Sequence, residues 1–271
     1  MDTQGKFEDL KRILGEMESV LVAYSGGVDS TLLLKVAHDV LGDNAFGVIA
    51  SSETYPSAEI TEALDLAQSL GVRVINIHTN ELNNPKFSCN ATDRCYHCKM
   101  ELFGELKAIA EREGAKWLVH GANVDDLGDY RPGAKAAMEL GARAPLQEAG
   151  LTKAMIREIS RDLGLPTWDK PSLACLASRF PYGTTITSSA LTQIDKAEQF
   201  LKELGFRQVR VRHYGSTARI EVETSDLPRF LDPEIRGRIV ERFKGIGYLY
   251  VTLDMEGYRT GSMNEGMGKS I

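Results

Sequence analysis

The sequence predicts an α/β protein: a parallel sheet covered by helices on both faces, followed by a small α+β domain. Three observations carry this. Short apolar runs alternate with helical periodicities through the first two thirds of the chain, a glycine-rich loop joins the first run to the first long helix of that alternation, and the rhythm changes near residue 180.

The polar opening, Met1-Asp2-Thr3-Gln4-Gly5-Lys6, leads into an amphipathic helix. Residues 19–24 form an apolar run that predicts a buried strand, and 31–41 predict a helix closed by Gly42. Residues 45–50 and 72–77 predict a second and third strand, separated by a helix over 56–70 that Gly71 ends. A helix over 96–113, stopped by Gly114, precedes a fourth strand at 117–120. The glycine- and proline-punctuated stretch 121–150 predicts loop with a short fifth strand at 142–146, before a helix at 152–163. Such alternation implies right-handed crossovers and places the loops after Tyr24, Ala50, Ile77 and His120 over one crevice at the carboxyl ends of the strands. Beyond residue 180 come a helix (188–204), a strand pair around Tyr214-Gly215-Ser216, a helix (233–243) and a last strand (248–254), which predict a small antiparallel domain. The expected boundaries are 1–183 and 184–260, with a flexible tail at 261–271.

A length of 271 residues suits one large domain or two modest ones. The hydrophobic content of 42% and charged content of 26% exclude disorder, and no run approaches the ~18 to 20 apolar residues of a membrane span. Acids outnumber bases 38 to 32, which argues against broad nucleic-acid binding. Four cysteines without an export signal predict a cytoplasmic protein whose thiols are reduced or bind metal. His97 and His120 are expected to be packed or hydrogen-bonded, and Trp117 and Trp168 to lie in the core.

The strongest signal is Ser25-Gly26-Gly27-Val28-Asp29-Ser30 between the first strand and its helix. Two glycines let the backbone approach an anion, and the helix directs free amides and its positive end there. Ser25 and Ser30 add hydroxyls, and Asp29 suits a Mg2+ that neutralises phosphate. The loop resembles the pyrophosphate loop of the PP-loop family, which includes GMP and NAD synthetases, asparagine synthetase and tRNA-thiolating enzymes. That resemblance implies an adenine nucleotide alpha hydrolase-like domain that cleaves ATP between its α and β phosphates and activates a substrate as an adenylate. It also implies that Ser51 lies near the adenosine. Lys153, at the start of a late helix, is a candidate phosphate neighbour, with a solvated surface as the equal alternative.

Cys95-Tyr96-His97-Cys98 is a C-x-x-C at a helix start, with Cys89 upstream and Cys175 far downstream. The crevice topology predicts that all four reach one site. By spacing they divide among a four-thiolate zinc site, an iron-sulfur cluster on Cys95, Cys98 and Cys175, and a bland reading in which only Cys175 reacts. Arg210 and Arg212, two apart on a strand, share a face and suit a phosphate; an exposed strand face is the alternative.

The segment Cys175-Leu176-Ala177-Ser178-Arg179-Phe180-Pro181, with Asp129-Tyr130-Arg131-Pro132-Gly133, Val209-Arg210-Val211-Arg212-His213 and Gly257-Tyr258-Arg259-Thr260-Gly261, resembles the ATP-dependent sulfur transferases of nickel-pincer nucleotide cofactor biosynthesis. The likeness runs over nearly the whole chain. It implies that ATP adenylates the carboxylates of pyridinium-3,5-biscarboxylic acid mononucleotide and that sulfur displaces AMP to give thiocarboxylates, for nickel enzymes such as lactate racemase. Family members either spend the cysteine matching Cys175 or use it with a C-x-x-C to hold a [4Fe-4S] cluster that carries sulfide. The pair Cys95 and Cys98 points to the second kind and leaves Cys89 without a role. The resemblance further implies Cys175, Ser178 and Arg179 as catalytic residues and Arg210, Arg212, Asp129 and Arg131 as substrate-binding ones. Glu198 matches an acid of an intersubunit metal site whose second acid is here Arg229. The implied partners are the small mononucleotide, a sulfide source and further copies of the chain, with no nucleic acid or membrane. A tRNA thiolase would need a basic surface, and a nucleotide sensor would leave the cysteines and arginines unexplained.

Overall fold

The computed structural model describes residues 2–128, 132–171, 174–259 and 262. Asp129, Arg131 and the tail 261–271, Ser262 apart, lie outside the described residues. The chain divides into two compact units, Met1–Glu81 with Asp93–Leu173, and Leu82–Thr92 with Ala174–Ile271.

In the first unit the Asp2 carboxylate caps α1 (Thr3–Met17) by accepting from the Gly5 amide. Leu10, Leu14 and Met17, at helical spacing, are buried. There follow β1 (Val20–Ala23), α2 (Val28–Leu41), β2 (Ala45–Ser51), α3 (Ser57–Ser69) and β3 (Val74–His78). The chain contributes α4 (Pro85–Ser88) to the second unit, then returns with α5 (Arg94–Glu113), β4 (Trp117–His120), α6 (Pro132–Glu139), α7 (Pro145–Glu148) and α8 (Lys153–Asp162). The sheet is parallel throughout in the order β3-β2-β1-β4, as the alternation predicted. Side chains alternate along β1. Val20 and Val22 join the core built with Leu10 and Leu14 of α1, Leu33 of α2 and Ile156 of α8, while Leu21 joins Phe46, Val48, Phe103 and Leu106 on the opposite face. Each fully buried leucine contributes about 1.5–3 kcal/mol, which holds the helices to both faces.

Two expectations fail here. The stretch 142–146 forms no strand: it makes one parallel bridge, Val119 to Arg143, and then enters α7 at Pro145, which has no amide to give a ladder. Trp117 and Trp168 are not core residues but are 39% and 41% exposed. Trp117 lies at the start of its strand under the Arg143 guanidinium, 5.0 Å from the ring centre.

In the second unit Thr187 caps α9 (Ser188–Glu203), followed by β5 (Val209–Tyr214), β6 (Thr217–Val222), a 3-10 stretch at Thr224–Leu231, α10 (Pro233–Ile246) and β7 (Tyr250–Leu253). The sheet order is β5-β6-β7. β5 and β6 form the expected antiparallel hairpin, but β7 runs parallel to β6, because α10 carries the chain back across one face. Ala197, Leu201, Val211, Ile220 and Phe243 form its core. The excursion 82–92 is bound here through Asn90, whose side chain donates to Pro181 O (2.7 Å) and whose carbonyl accepts from Gly183 N (2.9 Å).

Candidate functional site

The glycine loop follows β1 directly. Tyr24 still donates its amide to Val48 O, and its hydroxyl reaches Ala63 O at 3.0 Å, fastening the loop to α3. Gly26 has φ +69°, and a Cβ there would stand 2.4 Å from that of Ala63, so only glycine fits. Gly27 is the N-cap of α2 and gives the helix no side-chain cap, in contrast to Thr152 and Thr187 at α8 and α9. An uncapped helix start behind two glycines offers backbone donors and a positive dipole end to a phosphate. The Ser25 and Ser30 hydroxyls lie 3.0 Å apart, and Ser30 donates to Gly27 O at 3.2 Å, closing the loop on itself.

Asp29 stands in the first turn of α2. One of its oxygens accepts from Asn123 Nδ2 at 3.3 Å and the other is paired with the Lys153 ammonium. Lys153 is held in turn by its amide, which donates to Asp125 Oδ2 at 2.7 Å. Lys153 therefore lies beside the loop, with its side chain 35% exposed. Asn123 and Asp125, not anticipated from the sequence, position this pair; the only signal was their place just after β4. An uncapped helix start, a close-approach glycine, a carboxylate and an ammonium fit a nucleotide's phosphates with a divalent cation. Ser51 ends β2 with its hydroxyl on Ile77 O at 3.0 Å, so that group serves the sheet edge.

Cys95 is exposed and Cys98 half-buried in the first turns of α5, and Cys89 is exposed. His97 Nε2 pairs with Asp93 at 3.1 Å. His120 packs edge-on to Phe103, and burial, with Lys99 nearby, pushes it down to about 4. Among the described residues no group of three or more His, Cys, Asp or Glu side chains is gathered closely enough to hold a metal ion.

In the second unit Cys175, half-buried, is the N-cap of a short 3-10 turn, Leu176–Arg179. Arg179 is 2% exposed and pairs bidentately with Glu198 at 2.8 Å on both arms. Its Nη1 donates to Ala174 O (2.6 Å), Cys175 O (2.9 Å) and Ser178 Oγ (3.0 Å). Glu198 also accepts from Val211 N at 2.9 Å. Burial opposes its charge, yet Arg179, with Arg210 behind it, holds its carboxyl below the usual range. Within its own unit Glu198 is therefore paired with Arg179 and Val211 N. Arg229, at the position of the expected second acid, caps the end of α9 through Leu204 O at 2.6 Å and Gly205 O at 3.2 Å.

Arg210 and Arg212 are buried, which removes the exposed-face alternative. Arg212 pairs bidentately with Glu221 at 2.9 and 2.7 Å and donates to Ser178 O at 3.0 Å. Arg210 lies 5.2 Å from the Tyr258 ring centre, and burial, then the positive charge of Arg179, lowers it to about 10. The buried charged side chains described in this unit are three arginines, 179, 210 and 212, against Glu198 and Glu221, apart from His213. Three buried guanidiniums beside two carboxylates make this an electropositive interior.

The NAD synthase family model matches residues 10–97, which contain the glycine loop. The pyridinium-3,5-bisthiocarboxylic acid mononucleotide synthase of Lactiplantibacillus plantarum is 40% identical over 95% of this chain and 93% of its own length. The chain belongs to this synthase family. A Synechocystis protein described as uncharacterized is 45% identical over 98% of this chain and 99% of its own, and a Methanocaldococcus jannaschii one is 28% identical over 90% and 92%. As a family member with a PP-loop domain the protein is an ATP-dependent enzyme. No helix among the described residues is long and apolar enough to cross a membrane.

Proposed function

We propose that this synthase-family chain is an ATP-dependent sulfur transferase that turns the carboxylates of pyridinium-3,5-biscarboxylic acid mononucleotide into thiocarboxylates for a nickel-pincer cofactor. The near full-length similarity to the L. plantarum synthase carries the proposal. The phosphate cradle and the buried arginines of the second unit support it chemically.

The adenylating half-reaction is assigned to the first unit. A substrate carboxylate oxygen attacks the α-phosphorus of ATP, an O–P bond forms, and pyrophosphate leaves. Backbone donors around Gly26 and Gly27 and the Lys153 ammonium meet the departing phosphates, and Asp29 would hold the Mg2+ that shields their charge. The sulfur-transfer half is assigned to the Cys175 turn with Ser178 and Arg179. A sulfur nucleophile attacks the acyl carbon, the C–S bond forms, and AMP leaves with the oxygen it was joined through. Arg210 and Arg212 are assigned to the mononucleotide's phosphate, and Asp129 and Arg131 to substrate binding by resemblance.

The immediate sulfur source is a separate proposal. The C-x-x-C of Cys95 and Cys98 favours a [4Fe-4S] cluster fed by a sulfide source, with Cys175 as its third ligand by resemblance, over single use of the Cys175 sulfur. Among the described residues, three such ligands are not gathered at one place. Cytoplasmic location and self-assembly belong to the same proposal. Incubating the protein with ATP and the biscarboxylic mononucleotide tests it. AMP and thiocarboxylate formed together are expected; AMP without thiocarboxylate, with sulfide supplied, would overturn it. Peptide mass analysis after turnover then decides the source: an intact Cys175 supports external sulfide, and a dehydroalanine there means its own sulfur was spent.

A further inference from the structure

We infer that Glu198 and Arg179 form a positioning pair for the turn that carries Cys175, an assignment that rests on the sulfur-transfer proposal above. Neither side chain faces solvent: Arg179 is 2% exposed and Glu198 4%. Glu198 occupies two edges of the guanidinium, Nε and Nη2, each at 2.8 Å. The planar fork then has one direction left for Nη1, which takes Ala174 O, Cys175 O and Ser178 Oγ. One carboxylate on α9 therefore fixes, from behind, both carbonyls that flank the Cys175 amide and the hydroxyl three residues on. Because the same carboxylate accepts from Val211 N, the turn is tied to β5 as well.

A second strap has the same design. Glu221 holds Arg212 bidentately, and Arg212 Nη1 reaches the carbonyl of Ser178. Two buried acids thus act on the Cys175 turn through two arginines. Packing alone does not call for this, since well-packed apolar residues stabilise such an interior as well as a buried ion pair does. What the pair adds is direction. A nucleophile held in one orientation gains rate in the step in which it attacks, and that step follows adenylation. The effect of Glu198 belongs to sulfur transfer and not to the use of ATP.

Two variants test this, Glu198→Gln and the apolar replacement Arg179→Met with Glu198→Leu, each in the full-length protein. Hydrogen exchange of a peptide over 174–180 reports the turn directly, with a β1 peptide as the control. Thiocarboxylate formed per AMP reports the coupling of the two half-reactions. We expect exchange over 174–180 to quicken by about tenfold or more in both variants, with β1 unchanged, and product per AMP to fall by a similar factor while the ATP requirement of Glu198→Gln stays within about twofold. Wild-type exchange over 174–180 and wild-type coupling in either folded variant would overturn the assignment. The exchange measurement needs no substrate, so it decides the positioning role even where wild-type protein forms no thiocarboxylate and the function proposal itself has failed.

Discussion

Gly26 lies so close to Ala63 that a Cβ on it would stand 2.4 Å from the Ala63 Cβ. Its φ of +69° adds a second constraint, because an L side chain there clashes with its own backbone. Gly26→Ala should therefore lower stability by about 2 kcal/mol or more and weaken ATP binding at least tenfold. Ala63→Gly in the same chain relieves the contact but not the φ, so it should restore only part of both. Urea unfolding and ATP titration measure the two effects, and full restoration would show that the contact alone mattered.

Lys153 pairs with Asp29 at the start of α2, and Asn123 steadies the other Asp29 oxygen. Under the proposed assignment, phosphates take the ammonium and Mg2+ the carboxylate, so the pair should separate when the nucleotide binds. Lys153→Met should raise the ATP requirement by about tenfold, a loss near 1.4 kcal/mol, with the mononucleotide requirement nearly unchanged. Steady-state titration of each substrate checks it.

His120 gives a pH signature. Its folded value of about 4 lies below its ordinary 6.5, so the unfolded chain takes up the proton first. Its stabilising contribution is complete above pH 6.5 and is lost as the pH falls toward 4, by roughly 3 kcal/mol in all. His120→Asn should remove that part of the slope in urea midpoints measured between pH 7 and pH 4. An unchanged slope would place the acid sensitivity in other groups, His213 among them, whose burial also lowers it.

Arg212→Lys keeps the charge but loses the fork that spans Glu221 and Ser178 O. Removing one partner of a buried pair costs about 3–5 kcal/mol, and a lysine that reaches Glu221 alone should recover only part of it. Stability should fall, and the mononucleotide requirement should rise much more than the ATP requirement. Equal rises would indicate a structural role only.

The parallel sheet was legible because its signals are local: an apolar run, a turn, a helical period and a closing glycine repeat through the first unit. The glycine loop was legible for the same reason. What escaped the sequence depends on partners far along the chain. The Arg210 and Arg212 alternation could not reveal burial, because Glu198 comes from α9 and Glu221 from β6. In register Arg212 faces Arg219, and Glu221, two residues along, takes both guanidiniums. The parallel pairing of β7 did have a signal, since a 14-residue helix between two strands supplies a crossover. Trp117 and Trp168 misled because a large apolar ring can cover a surface and carry a cation as readily as fill a core.

Carboxylate activation is the central claim, and an isotope measures it directly. With the mononucleotide's carboxylates labelled by oxygen-18, single-turnover products are separated and weighed. AMP should carry one labelled oxygen for every thiocarboxylate formed, with pyrophosphate unlabelled, because the attacking carboxylate oxygen stays on the α-phosphorus. Unlabelled AMP beside thiocarboxylate product would contradict adenylation of the substrate and, with it, the assignment of the glycine loop's chemistry.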